Sequence, residues 1–212
     1  MADRGGPNLW FFDLWSRVYD APLVQRLTYR PVQDAVLRRL REAPPGRMLD
    51  VGCGTGLFAR RAHGALRRAE VVGCDFSHGM LRRAARNGPG MPWVRGDALH
   101  LPFRDGSFDS VVSTEAFHWF PDQEAALRGF FRVLAPKGRL LLALVNPPAE
   151  WLSRATRAGS HLLGEPLSWP TRARLRRQVE AAGFRIETQQ AVFRLPAPFL
   201  LPCVLTVAER PG

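Results

Sequence analysis

The stretch Leu49-Asp50-Val51-Gly52-Cys53-Gly54-Thr55-Gly56 constrains this chain more than any other. It closes a short apolar run at 47–51 and sets glycine at every second position. There the backbone can turn sharply and come close to a ligand that side chains would hold away. An apolar strand that ends in such a loop and runs on into a helix is the first half of a βαβ unit. A dinucleotide fingerprint, G-x-G-x-x-G, needs its third glycine at 57, and Leu57 stands there. The spacing here is G-x-G-x-G.

The rest of the chain repeats the strand and helix alternation. Apolar or β-branched runs at 47–51, 70–75, 91–95, 108–113 and 138–145 read as strands. Between them, 56–68, 78–87 and 121–134 carry apolar residues at helical spacing, as in Ala125, Leu127, Phe130, Phe131 and Leu134. Residues 22–42 place Leu23, Leu27, Val32, Val36, Leu37 and Leu40 on one or two short helices broken near Pro31. Beyond the core, 171–183 reads as a helix ended by Gly183, and 184–194 with 203–209 as a closing antiparallel pair. The expected fold is α/β: a doubly wound, Rossmann-like, mostly parallel seven-stranded sheet with an antiparallel last strand and helices on both faces. One domain is expected over 1–212. It divides into a helical lid at 1–43, a ligand-binding core at 44–145, a cap insertion at 146–170, and a closing helix and strands at 171–212.

Composition narrows the partners. The longest purely apolar run, Leu140 to Val145, is far short of the ~20 residues a membrane span needs, and the first residues carry no apolar leader. A soluble, cytoplasmic protein is expected. Three cysteines at wide spacing, Cys53, Cys74 and Cys203, fit neither a disulfide framework nor a metal site, so no metal is expected. Of the 30 basic residues only Lys137 is lysine, and the other 29 are arginines spread through nearly every segment. That spread reads as compositional enrichment rather than the focused patch typical of nucleic-acid binding, with a functional basic surface as the alternative.

In open α/β sheets ligands sit outside the carboxyl ends of the strands. Strand two ends at Asp75, where a carboxylate can accept from both hydroxyls of a ribose. Strand three is followed by Gly96-Asp97-Ala98 and Leu101-Pro102-Phe103, a second carboxylate able to accept from an adenine amino group. Taken with Phe108-Asp109-Ser110-Val111-Val112-Ser113 and the run Arg132 to Leu140, these motifs resemble the class I S-adenosylmethionine-dependent methyltransferases, in family order and spacing over 47–145. The segment from Phe12-Asp13 to Tyr19-Asp20 resembles the N-terminal element of the quinone-biosynthesis and related small-molecule branch. The resemblance implies that Gly52, Cys53, Gly54 and Gly56 wrap the cofactor, with Gly52 and Gly54 facing its methionine part. It implies that Asp50 holds the amino group, Asp75 the ribose, Asp97 and Ala98 the adenine, and that Phe76 and Met80 pack on the adenine face. Tyr19 would reach across the cofactor, and Thr114, Glu115 and Phe117 would lie near the methionine and methyl group.

Acceptor chemistry is less legible. His118, beside Trp119, is the candidate for taking a proton from a substrate hydroxyl, with pocket lining as the other reading. Trp10-Phe11-Phe12 and Trp15 make the N-terminal element unusually aromatic, which favours an apolar or ring-shaped small-molecule acceptor. The expected reaction moves a methyl group from S-adenosylmethionine, leaving S-adenosylhomocysteine. The rivals are a nucleic-acid methyltransferase and a non-catalytic cofactor-binding relative. Base-methylating enzymes carry Asn/Asp-Pro-Pro-aromatic after strand four, whereas Asn146-Pro147-Pro148 follows strand five, precedes alanine, and reads as a turn. In 146–170, Trp151, Leu152, Ala155, Leu162 and Leu163 can share one side of a helix, expected to turn inward over the acceptor pocket.

Overall fold

The computed structural model describes residues 29–162, 167–192 and 203–212. Tyr19, the aromatic element at 10–19 and Leu163 lie outside them. In chain order the elements are α1 (Arg30–Glu42), β1 (Arg47–Val51), α2 (Leu57–Ala65), β2 (Glu70–Asp75), α3 (His78–Asn87), β3 (Trp93–Arg95), β4 (Phe108–Thr114), a 3₁₀ turn (Phe117–Trp119), α4 (Gln123–Val133), β5 (Leu134–Val145), α5 (Glu150–Leu162), α6 (Arg172–Ala181), β6 (Arg185–Val192) and β7 (Cys203–Glu209). The strands form one sheet in the order β3-β2-β1-β4-β5-β7-β6. The neighbours from β3 to β5 pair in parallel, and β7 runs antiparallel to both β5 and β6. This is the doubly wound arrangement that the alternation predicts.

Strand periodicity explains why helices cover both faces. Successive residues on a strand point to opposite sides of the sheet. Leu140, Leu142 and Leu144 of β5 join one apolar cluster, with Phe117, Leu127 and Phe130 from the turn and α4, and Leu175 and Val179 from α6. Leu141 and Ala143, one residue out of phase, join a second cluster with Val36 and Leu40 of α1 and Phe58 and Ala62 of α2. Both faces are buried, so the strands read as unbroken apolar runs rather than as alternating ones.

Element ends follow local chemistry. Pro31 stands in the first turn of α1, where a missing amide costs nothing, and the part of the expected helical stretch before it, 22–28, lies outside the described residues. Ser77, Asp122 and Thr171 cap α3, α4 and α6, each accepting a backbone N–H with its side chain. Two arginines have internal duties. Arg132 donates to the carbonyls of Leu101 and Phe103 and to Asp105, pinning the segment after Asp97. Arg210 donates to the Phe131 carbonyl and lies 4.7 Å over that residue's ring.

The Trp93 indole of β3 lies flat on β2. A methyl group added at Gly73 would meet its ring carbons at 2.4 Å, and the ring's Nε1 donates to the Gly88 carbonyl at 3.0 Å. Gly73→Ala should therefore lower stability by about 1–3 kcal/mol through overpacking. In a Trp93→Leu background that added cost should vanish. Urea denaturation of the four proteins in this double-mutant cycle measures the coupling.

Candidate functional site

At the carboxyl end of β1 the chain enters the loop at 52–56 and its three glycines adopt positive φ, 72° at Gly52, 55° at Gly54 and 76° at Gly56. The missing side chains serve different ends. A Cβ on Gly52 would strike the Ala116 methyl at 2.4 Å, and one on Gly56 would strike the Trp93 ring at 2.4 Å. Only Gly54 of the three faces open space, with nothing within 4 Å of where its Cβ would stand. Gly52 and Gly56 thus seat the loop on the protein, and Gly54 bares the backbone on its open side.

Asp75 ties this loop to the second strand. Its Oδ2 accepts the Gly54 amide at 2.8 Å and its Oδ1 accepts the Ser77 amide at 2.8 Å. The carboxyl group is enclosed although the residue as a whole keeps partial exposure. Enclosure raises its pKa, and the amides of Ser77, Gly54 and Phe76 pull it back. Each oxygen keeps a free lone pair, since a carboxylate offers about four acceptor positions.

Asp50, in β1, is 1% exposed, and neither carboxyl oxygen has a hydrogen-bond partner among the described residues. Burial first, and the negative Asp75 second, push its pKa from 3.8 up to about 8; the nearby Ala59 amide, outside hydrogen-bonding geometry, offsets a part. The same causes raise the Cys53 thiol well above its ordinary range and the Cys74 thiol to about 12. None of the ion pairs formed among the described residues reaches Asp50 or Asp75. Guanidinium groups do come to this end of the sheet, Arg60 donating to the Gly56 carbonyl at 3.3 Å and Arg95 to the Phe76 carbonyl at 3.3 Å, but they bind backbone and not these two carboxyl groups.

The adenine-side candidates fall along one edge. Asp97 accepts the Leu99 amide at 2.9 Å through Oδ1, and its other oxygen lies 3.6 Å from the exposed His100 ring. Ala98 is buried beside it in the core cluster. Met80 is buried on α3, whereas Phe76 is 47% exposed, with the Arg95 guanidinium 5.9 Å from its ring centre. Phe76 is open to stacking on a flat ligand.

On the other side of the loop, Thr114 ends β4 and Glu115 takes a left-handed φ of 54°, its amide donating to the Ala143 carbonyl at 2.7 Å. Its carboxylate accepts the Cys203 thiol at 3.5 Å, so it faces β7. The Phe117 ring sits in the core against Phe120 and Phe130. His118 is buried with its ring centre 5.4 Å from Trp119 and 5.5 Å from Trp169.

Trp169 and Asn146 are the residues that sequence reasoning missed. Trp169 belongs to a strap, 167–170, laid across the carboxyl ends of β4 and β5. The strap is tied by Ser168 N–H to the His118 carbonyl (2.9 Å), by Gln123 to the Ser168 carbonyl (2.7 Å), by Ser153 to the Trp169 carbonyl, and by the Asn146 amide to the Pro170 carbonyl (2.8 Å). That last bond fixes the amide's orientation and leaves Asn146 Oδ1 buried without a partner among the described residues; the Trp169 Nε1 is in the same condition. Asn146 follows β5 directly, where the strand-end rule points. The paired prolines after it make the segment look like a turn alone.

The expected orientation of the insertion is corrected by the structure. A helix forms, α5, but Trp151 is 70% exposed and Ala155 is exposed with it; Ser153 and Ser160 are the buried positions. The inward side is polar because the strap's backbone needs partners: Ser160 accepts the Leu167 amide at 3.0 Å, as Ser153 serves Trp169.

The state of Asp50 predicts a pH effect. Unfolded, the group ionises near 3.8; folded, it keeps its proton to about 8. The folded chain then binds more protons across that window, so its stability falls as pH rises through it. Asp50→Asn cannot ionise, and its urea midpoint should drop less than the parent's between about pH 5 and pH 8. Equal drops would show that Asp50 ionises normally.

Comparison with known proteins bears on this geometry. A family model described as a methyltransferase domain matches residues 49–142. The chain is 43% identical over 113 residues to the demethylmenaquinone methyltransferase of Thermus thermophilus, covering 51% of each chain, so it spans about half of that relative's length. It is 34% identical over 173 residues to the demethylmenaquinone methyltransferase of Deinococcus radiodurans, covering 70% of this chain and 72% of that one. Among solved structures, a chain from the complex between the Haloferax volcanii Trm112 methyltransferase activator and a methyltransferase superposes with a TM-score of 0.75. It is 22% identical and covers 95% of this chain and 98% of its own. With the glycine loop, the carboxylate-ended strands and the reversed β7 all in place, the chain belongs to the class I S-adenosylmethionine-dependent methyltransferases.

Proposed function

We propose that this chain methylates a small, apolar or ring-shaped acceptor, with S-adenosylmethionine held at the carboxyl ends of β1, β2 and β3. The observation that carries the cofactor side is the pair Asp50 and Asp75, enclosed and in no ion pair among the described residues. A ligand bearing an ammonium and a sulfonium supplies the missing positive charge, and an anionic dinucleotide would not. Asp50 would receive the amino group, Asp75 would accept the ribose hydroxyls on its spare lone pairs, Asp97 would accept from the adenine amine, and Phe76 would stack on the ring. Gly52, Cys53, Gly54, Gly56, Ala98, Met80, Thr114 and Phe117 complete the proposed wall, with Gly54 at closest approach. Tyr19 keeps its place in the reading as the residue reaching over from the N-terminal side.

When bound, S-adenosylmethionine supplies an electrophilic methyl group. This chain's residues then have to position an acceptor in line with it and keep water out, work that can be worth ~7–11 kcal/mol. His118, Trp119 and Trp169 form an aromatic wall suited to a flat apolar ring. The Trp169 Nε1–H and Asn146 Oδ1 offer that ring a donor and an acceptor, so a substituent such as a hydroxyl beside a carbonyl fits their chemistry. His118, packed between two indoles, lines this wall, and a proton leaving an acceptor hydroxyl would pass to it or to solvent. The relatives named as demethylmenaquinone methyltransferases support a ring-shaped acceptor.

Isothermal titration with S-adenosylmethionine and S-adenosylhomocysteine tests the cofactor assignment. Asp75→Ala should weaken both by one to two decades, because each buried donor left unpaired costs ~1–3 kcal/mol. Unchanged affinity would remove Asp75 from the site. For the acceptor, cell extract treated with radiolabelled methyl donor and separated into lipid, small-molecule and macromolecular fractions should carry label in the first two. Label in nucleic acid would overturn the reading. With the acceptor in hand, Asn146→Leu should raise KM about tenfold or more at unchanged cofactor affinity, as loss of a hydrogen bond to bound acceptor would do.

A further inference from the structure

An amphipathic helix on a globular protein ordinarily turns its apolar stripe inward. In α5 the order is inverted. Ser153, Thr156 and Ser160 lie on the side facing the protein, while Trp151, Ala155 and Ala158, spaced i, i+4 and i+7, lie on one outer side, all exposed. The inversion is locked. Ser153 donates to the Trp169 carbonyl, Ser160 accepts the Leu167 amide, and Glu150 at the first turn accepts from Thr171, the cap of α6. Rolling α5 to bury its indole would break all three ties, so the outward stripe is a property of the folded chain.

From this geometry we infer that α5 docks the protein onto an anionic lipid surface, with the Trp151 indole in the headgroup layer. Arg154 and Arg157 are both exposed, about 60° and about 120° round the helix from Trp151 on the same flank. An indole with guanidinium groups beside it is the side-chain set that settles at a membrane interface, the ring among the glycerol groups and the cations level with phosphates. The chain's net charge of +11 adds attraction toward such a surface. A protein partner fits less well. Apart from the indole the stripe offers two alanine methyls, too little to anchor the roughly 800 Å² per side of a stable interface, whereas a lipid surface demands no matching shape. Among the described residues no helix is long and apolar enough to cross a membrane, so the contact is peripheral. The helix follows β5 after four residues, on the side of Asn146 and Trp169, and there the inference rests on the apolar-acceptor reading: an acceptor dissolved in lipid would reach the site beside α5.

The test is co-sedimentation of the full chain, saturated with S-adenosylhomocysteine, with vesicles of phosphatidylcholine alone and of phosphatidylcholine mixed with phosphatidylglycerol. The parent should pellet with the anionic vesicles and stay in solution with the neutral ones. Trp151→Ser should weaken the anionic binding about tenfold. Arg154→Gln and Arg157→Gln should weaken it about fivefold each, the equivalent of ~1 kcal/mol per charge near such a surface. All three variants keep the fold, since the substituted side chains are exposed, and unchanged S-adenosylhomocysteine affinity checks it. Failure of the parent to bind anionic vesicles, or binding indifferent to Trp151→Ser, overturns the inference. Concentration-dependent self-association abolished by Trp151→Ser, without vesicle binding, also overturns it, in favour of a second copy of the chain. If the parent binds neither S-adenosylmethionine nor S-adenosylhomocysteine, the proposed function fails instead, whatever the vesicles show.

Discussion

The carboxylate of Asp75 holds the site together. It sits where β2 ends, accepts the amide of Gly54 from the loop after β1 and the amide of Ser77 that begins α3, and so joins two βα units through one side chain. Removing a carboxylate from water is costly, and the backbone amides offset only part of that cost. Burial, with the charge of Asp75 second, raises the pKa of the neighbouring Asp50 to about 8. The fold keeps these two groups together, and neither enters an ion pair among the described residues. The same arrangement explains why a short segment of the chain dominates the rest: strand ends, loop and helix start are fitted to this contact.

How much of this was legible in the sequence varies with the physics that decides each part. The parallel sheet was readable because strands buried on both faces must be apolar throughout, and Leu140 to Val145 has no other use. The carboxylates were readable because their positions follow strand ends. The separate roles of the three glycines were not, since what a missing Cβ makes room for depends on Ala116 and Trp93, distant in sequence. The orientation of α5 was misread. A helix with one apolar and one hydroxyl-bearing side looks ready to bury the apolar one, until the strap at 167–170 brings backbone groups that need the hydroxyls more.

That competition sets the character of the strap. It has no regular structure of its own, and its carbonyls and amides would be left unsatisfied if α4, α5, the 3₁₀ turn and Asn146 after β5 did not each supply a partner. In return it presents Trp169 to His118 and fixes the Asn146 amide. The glycine loop is built on strand ends and the strap on a borrowed scaffold, so the two are held by separate sets of hydrogen bonds.

The reversed strand has a consequence in time. In the finished sheet β7 lies between β5 and β6, yet it comes after both along the chain. With β7 its only neighbour among the described strands, β6 has no partner in the sheet when it emerges, and its ladder bonds wait for Cys203–Glu209 to arrive. Since β5 also lacks its outer neighbour until then, the last two strands enter as a preformed hairpin or not at all, and the closing of the sheet becomes a single late event. A nascent or truncated chain without β7 would expose the β5 edge and the apolar residues beside it, and so be marked for aggregation or degradation rather than for partial function.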